Sequence, residues 1–196
     1  MPRHPRLKNG RRKHNGAWTP CPEESVTLQR NDVIKVSGVA WRTGPKPLNL
    51  SPLQVDEIIA LFLQETGERY TEASVRHLPI PSWNGNLLLV DDTEQGGVSI
   101  QGVFWATPFK EDIVRVAAFV LDVEVQRKGL GGQAWDIFAD AAWNLGYRRV
   151  QLEVKAENID AQRFYEARGL TVQKELRGYY QSGLGYMMQG PLRPPA

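Results

Sequence analysis

The chain has 196 residues, 41% of them hydrophobic and 23% charged, with a formal net charge of +2. That suits one globular domain plus a tail, and no apolar run reaches membrane-span length or follows the basic N-terminus as in a secretory signal. The single cysteine, Cys21, excludes an internal disulfide, and His4 and His14 both fall in the tail, so no metal site is expected and a reducing, cytoplasmic setting is.

Residues 1–16, MPRHPRLKNGRRKHNG, carry six Arg/Lys and no acid, leaving 18 basic and 22 acidic residues elsewhere. Such a stretch cannot bury enough surface to order itself, so residues 1–30 are expected to be a basic, disordered tail. It is either simply solvated or an electrostatic contact to RNA or the ribosome. The domain is expected over 31–190, with a short tail at 191–196. Val33–Trp41 (VIKVSGVAW) predicts a first strand. Ser51-Pro52 opens a helix whose apolar residues recur at helical spacing to Gln64, and TEASVRHLPIPSW holds a short second helix that Pro79 stops.

Three strand signals follow: Asn86–Val90, then, beyond the acidic turn DDTEQGG, Val98–Ala106, then the long apolar Ile113–Val123. Gly129 begins a helix ending near Gly146, Val150–Val154 is a strand, and Ile159–Ala167 is a short helix closed by Gly169. Leu170–Leu176 and Tyr186–Met188 are the last strands. This order predicts an α/β fold: a mixed, mostly antiparallel sheet of about six or seven strands with helices on both faces.

A strand running into QRKGLGG and then a helix makes an anion site, because the first helical N–H groups lack internal partners and the dipole favours negative charge there. Gly129, Gly131 and Gly132 let the main chain approach phosphates, and Arg127 and Lys128 add charge. Taken alone, the same glycines serve equally to pack a tight turn. A Walker loop is excluded by the missing Lys-Ser/Thr, and a dinucleotide fold is disfavoured because the motif comes late, after antiparallel strands.

QRKGLG, from Gln126 to Gly131, resembles the Q/R-x-x-G-x-G/A pyrophosphate loop of the GCN5-related N-acetyltransferases. Asn158, Ala161, Phe164, Tyr165 and Gly169 fall in NIDAQRFYEARG as in that family's later signature. The resemblance spans roughly 33–190. Tyr179-Tyr180 before the final strand is similar to the branch that acetylates protein N-termini, including the ribosomal-protein alanine type. The acidic stretch common after that pair is absent here, Leu170 stands for the usual Phe, and Val123 for the usual Pro.

The resemblance implies a sheet splayed at the coenzyme site and acetyl-CoA as donor, with no metal. It implies that Gln126 to Gly132, Leu130 included, grip the pyrophosphate, and that main chain at Leu121, Asp122 and Val123 meets the pantetheine arm and polarises the thioester oxygen. Asn158, Ala161 and Phe164 complete the coenzyme site, with Asn158 either binding pantetheine or capping its helix. Glu153 takes the place of the general base and Tyr165 that of the acid facing the sulfur. Glu153 also reads as a solvated strand carboxylate and Tyr165 as a core tyrosine; the loop around Glu65 and Glu68 is the second place for a base. Tyr179 and Tyr180 are either walls of the acceptor groove or ordinary strand aromatics. The expected acceptor is a peptide or protein N-terminus. A small amine or lysine side chain, or a non-catalytic acyl-CoA-binding partner subunit, are the alternatives.

Overall fold

A computed structural model describes residues 38–91, 99–180 and 183–193. The expected basic tail, with its RNA or ribosome contact, and the start of the expected first strand lie outside those residues.

The described strands form one seven-stranded sheet, ordered β1-β2-β3-β4-β5-β7-β6. They are β1 (Val39–Thr43), β2 (Asn86–Asp91), β3 (Ser99–Lys110), β4 (Ile113–Leu121), β5 (Arg149–Lys155), β6 (Thr171–Tyr180) and β7 (Gly183–Pro191). Only β4 and β5 pair in parallel. The helices are α1 (Pro52–Thr66), α2 (Glu72–Arg76), α3 (Leu130–Asn144) and α4 (Ile159–Glu166).

Local chemistry sets the helix ends. Ser51 and Gln54 form a reciprocal capping box on α1, Pro52 sits at its first turn, and Gly67 ends it in the left-handed region. Thr71 and Ser74 cap α2 in the same way. None of the described helices is long and apolar enough to cross a membrane.

Strand alternation divides the core between the two faces. Leu87, Phe104, Val114, Leu152 and Met188 pack on Trp135 and Phe138 of α3 and Tyr165 of α4. Leu88, Val90, Val103 and Trp105 pack on Val55, Ile58 and Phe62 of α1 and Val75 of α2. Leu192 is also buried, and its N–H donates to the Arg148 carbonyl, so folded structure continues past residue 190.

Several boundaries differ from expectation. The first strand reaches Thr43. β3 runs on through Pro108, whose missing N–H costs no ladder bond because β2 has already ended at the Asn86–Trp105 pair. β4 stops at Leu121, because the Asp122 side chain accepts from the Glu124 N–H and caps a short 3-10 turn over Val123–Val125.

The site originates in how β4 leaves its neighbour. Trp105 pairs with Ala118 but Ala106 pairs with Val116, so Ala117 is an extra, bulged residue. A bulge bends its strand. The parallel ladder to β5 runs only from Ile113–Arg149 to Val116–Leu152, and beyond that rung the two strands diverge. Alternate residues of Ala117–Leu121 therefore turn main-chain groups away from β3 into an open wedge.

Candidate active site

Two cavities occupy that wedge and its continuation. The first, of about 430 Å³, lies between β4, β5 and the end of α1. The second, of about 360 Å³, lies over the first turn of α3. Phe119, Asn158, Ala161 and Tyr165 line both, so the cavities meet at the Tyr165 ring.

Gln126, Arg127, Gly129, Gly131 and Gly132 line the second cavity, with Leu121 and Phe164. Gly129 adopts φ 80° at the helix N-cap, a conformation that suits glycine. Arg127 holds φ 58° without being glycine, a strained position in a loop that must turn sharply. The first-turn N–H groups of α3 open toward this cavity, and no side chain caps them. This donor set fits a diphosphate.

Not every residue of the expected loop faces the cavity. Leu130 is buried, and its carbonyl accepts from the Trp41 indole. Lys128 is exposed and lines neither cavity. The Asp122 N–H donates to the Gln101 carbonyl and the Val123 N–H to Glu65 Oε1, so both are already engaged. The free main-chain edge lies earlier, along Ala117–Leu121.

In the first cavity, Glu153 is the first β5 residue past the last parallel rung. The apolar partners Leu152 and Val154 point into the core, which turns Glu153 and Lys155 to the opposite face. Arg115 holds the Glu153 carboxylate as a fork: Nε donates to Oε2 at 2.9 Å and to Oε1 at 3.2 Å, and Nη2 to Oε2 at 2.6 Å. The same Nη2 donates to the Tyr179 hydroxyl at 3.0 Å. Tyr179 stands edge-on to Tyr180, which lines the cavity, with centroids 5.0 Å apart.

Lys155 pairs with Glu68 at 2.9 Å, donates to the Thr66 carbonyl and lies near the Tyr180 ring. This ties the segment after α1 to β5 and presents Tyr70 to the cavity. Glu65 accepts from Val123 and from the Gln126 amide, linking α1 to the start of the glycine loop.

Burial raises the pKa of Tyr165, with Arg168 opposing weakly, so the phenol keeps its proton across the neutral range. Burial likewise raises Tyr180, reinforced by Tyr179 and Glu153, and raises Tyr70, reinforced by Glu68. Asn158 caps α4, its Oδ1 accepting from the Ala161 N–H at 3.0 Å. Among the described residues no group of three or more His, Cys, Asp or Glu could hold a metal ion.

Sequence reasoning missed Arg115, Lys155, Tyr70 and Phe119. Alternation along β5 would have placed Lys155 beside Glu153. Arg115 required the β4–β5 pairing, and Tyr70 the path of the loop after α1.

The model of the acetyltransferase (GNAT) family matches residues 55–170, more than half the chain. The chain belongs to this family. Its members are acetyl-CoA-dependent acetyltransferases. Among solved structures, this GNAT domain resembles Ard1 from Thermoplasma volcanium at 22% identity and a TM-score of 0.65, covering 80% of this chain and 99% of that one. It resembles the ribosomal-protein-S18-alanine N-acetyltransferase from Escherichia coli at 19% identity and a TM-score of 0.60, over 81% and 96% of the two chains. A chain of the NatC complex bound to Gag peptide and CoA matches at 17% identity and a TM-score of 0.66, over 79% and 99%. At these identities the likeness is one of fold. No curated protein sequence matches the chain.

Proposed function

We propose that this GNAT enzyme moves the acetyl group of acetyl-CoA to a primary amine, the N-terminal α-amine of a peptide or protein. The observation that carries this reading is the meeting of the two cavities at Tyr165. One has free helix N–H groups suited to a diphosphate. The other is lined by Tyr70, Tyr180, four carboxylates and the ammonium of Lys155; with Arg115 set on Glu153, the carboxylates still outnumber the cations, a field that favours a cationic amine.

Each residue then has a task. Acetyl-CoA supplies the acyl group. Gln126, Arg127 and the glycine turn hold its diphosphate, and Asn158, Ala161 and Phe164 border its arm. A main-chain N–H of the Ala117–Leu121 edge donates to the acyl oxygen as charge develops there. Glu153, aimed by Arg115, takes the amine proton through a water. Arg115 donates three bonds to this carboxylate and Gln151 Nε2 a longer fourth, at 3.4 Å to Oε1, which is the one the water replaces. Tyr165 keeps its proton and donates it in a hydrogen bond to the departing sulfur. Tyr179 and Tyr180 border the path of the acceptor backbone. The α-amine, with an ordinary pKa near 8, needs only a weak base.

The test incubates the protein with acetyl-CoA and peptides that vary in their first residues and carry internal lysines, following free thiol and locating the acetyl group by mass. Acetylation at the α-amine is expected. Modification confined to lysine side chains or free small amines would replace this acceptor with another, and no thiol release from any amine would remove the catalytic reading.

A further inference from the structure

On the outer flank of the donor cavity stands a half-buried guanidinium without a carboxylate partner. Arg168, just beyond α4, lies over the Phe164 ring, its guanidinium carbon 3.5 Å from the centroid, and 5.5 Å from the centroid of Trp135. Its Nη1 donates to the Phe164 carbonyl at 2.8 Å. A second nitrogen, Nη2, lies 3.6 Å from where a Cβ on Gly132 would sit, so it faces the first turn of α3. Burial pulls its pKa below the ordinary arginine value, and Asp136 opposes this only at longer range. Among the described residues none forms a salt bridge with it.

A second guanidinium stands nearby. Arg168 and Arg193 both line a cavity of about 350 Å³ with Trp135, Asp136 and Pro191. Asp136 follows Gly132 by four residues, so this cavity begins about 6 Å along α3 from the glycine turn. Two guanidinia against one carboxylate leave it cationic.

Coenzyme A carries, beyond its diphosphate, a ribose with a 3′-phosphate and an adenine. With the thioester end at Tyr165 and the diphosphate on the α3 first turn, the nucleotide leaves past Gly132 and Phe164. Arg168 stands on that path. A planar guanidinium fixed by stacking loses little freedom when it binds phosphate. We propose that Arg168, backed by Arg193, receives the 3′-phosphate of the donor nucleotide and makes the enzyme distinguish coenzyme A from its 3′-dephospho form. This rests on the acetyl-CoA reading above.

The test is calorimetry on the full chain with coenzyme A and with 3′-dephospho-coenzyme A. Wild type is expected to bind coenzyme A roughly ten- to hundredfold tighter, the size of one charge-assisted hydrogen bond. Arg168→Gln should lose most of that preference while its affinity for the dephospho form stays unchanged. Arg168→Lys should keep part of the preference, and Arg193→Gln should lose a smaller share. Equal binding of both ligands by wild type overturns the proposal and leaves the donor site intact. Equal weakening of both ligands by Arg168→Gln also overturns it, since that pattern reports a distorted site. Wild type that binds neither ligand sinks the donor reading together with the proposal.

Discussion

One guanidinium, that of Arg115, holds both oxygens of the Glu153 carboxylate, and the two side chains are only 29% and 12% exposed. The carboxylate is thereby aimed along the wedge between β4 and β5. If this aim matters, Arg115→Lys, which keeps the charge and loses the fork, should reduce kcat about tenfold with little change in KM for acetyl-CoA. Glu153→Gln should reduce kcat/KM on the order of 100-fold or more, most at low pH, where the acceptor amine is largely protonated. Steady-state kinetics on a peptide acceptor, with thermal melts to confirm folding, decide the matter. Wild-type rates in both variants would move the base elsewhere, with Glu68 and Glu65 next in line.

Tyr165 gives a second prediction, with a definite sign. Its pKa is raised by burial, so it stays protonated past the ordinary tyrosine value of about 10 and should add no alkaline limb to the rate profile below that pH. Tyr165→Phe should slow single-turnover chemistry while leaving acetyl-CoA affinity intact. The folded state holds this proton more tightly than the unfolded state does. Stability should therefore be fully present below pH 10 and fall as pH rises through the folded value. Denaturant unfolding between pH 9 and 11 should show a shallower fall in Tyr165→Phe than in wild type. An equal fall in both would assign the effect to other groups, Tyr180 first.

At Gly131 an added Cβ meets Phe119, Phe164 and Leu121 at 3.5 to 3.7 Å, ordinary contact distances. Gly131→Ala should therefore fold with a melting temperature near wild type. Gly131→Glu sets a carboxylate in the proposed diphosphate site, and should weaken acetyl-CoA binding by at least roughly tenfold. Unchanged affinity in a folded Gly131→Glu protein would take the glycine turn out of the donor site.

Lys155 and Glu68 are each 15% exposed and pair at 2.9 Å. Removing one partner strands the other charge. Lys155→Met should cost about 3 kcal/mol in urea unfolding, and the double variant Lys155→Met/Glu68→Leu should recover much of that loss. A double variant as unstable as the single one would mean that the packing of the lysine stem, rather than the charge pair, holds the segment after α1.

The element order and the glycine turn were legible because each rests on local chemistry: capping residues, apolar spacing, a strand running into glycines. The α4 signature was legible for the same reason, and Asn158 does cap the helix. What escaped depends on contacts between distant residues. Arg115 and Glu153 are 38 positions apart and meet only through β4–β5 pairing. The Ala117 bulge leaves no trace in an apolar run, so the expected stretch, Leu121–Val123, overlaps the open edge only at Leu121. β6 was expected to end at Leu176 and reaches Tyr180. Nearly all of its residues are exposed, so no buried face shows in its pattern, and its pairing with β7 defines it.

The missing rungs between β4 and β5 have a consequence for the life of the folded chain. Where the ladder stops after Val116–Leu152, peptide groups of the sheet are left for something other than protein to complete. A donor seated there finishes a structural element as well as a reaction complex. By mass action, a ligand present at a hundred times its dissociation constant adds about 2.7 kcal/mol to stability, a large share of what a domain of this size commonly has. On the donor site proposed above, the persistence of the folded enzyme is tied to the supply of its acyl donor. Depletion of the acyl donor would slow the reaction and shorten the protein's lifetime together.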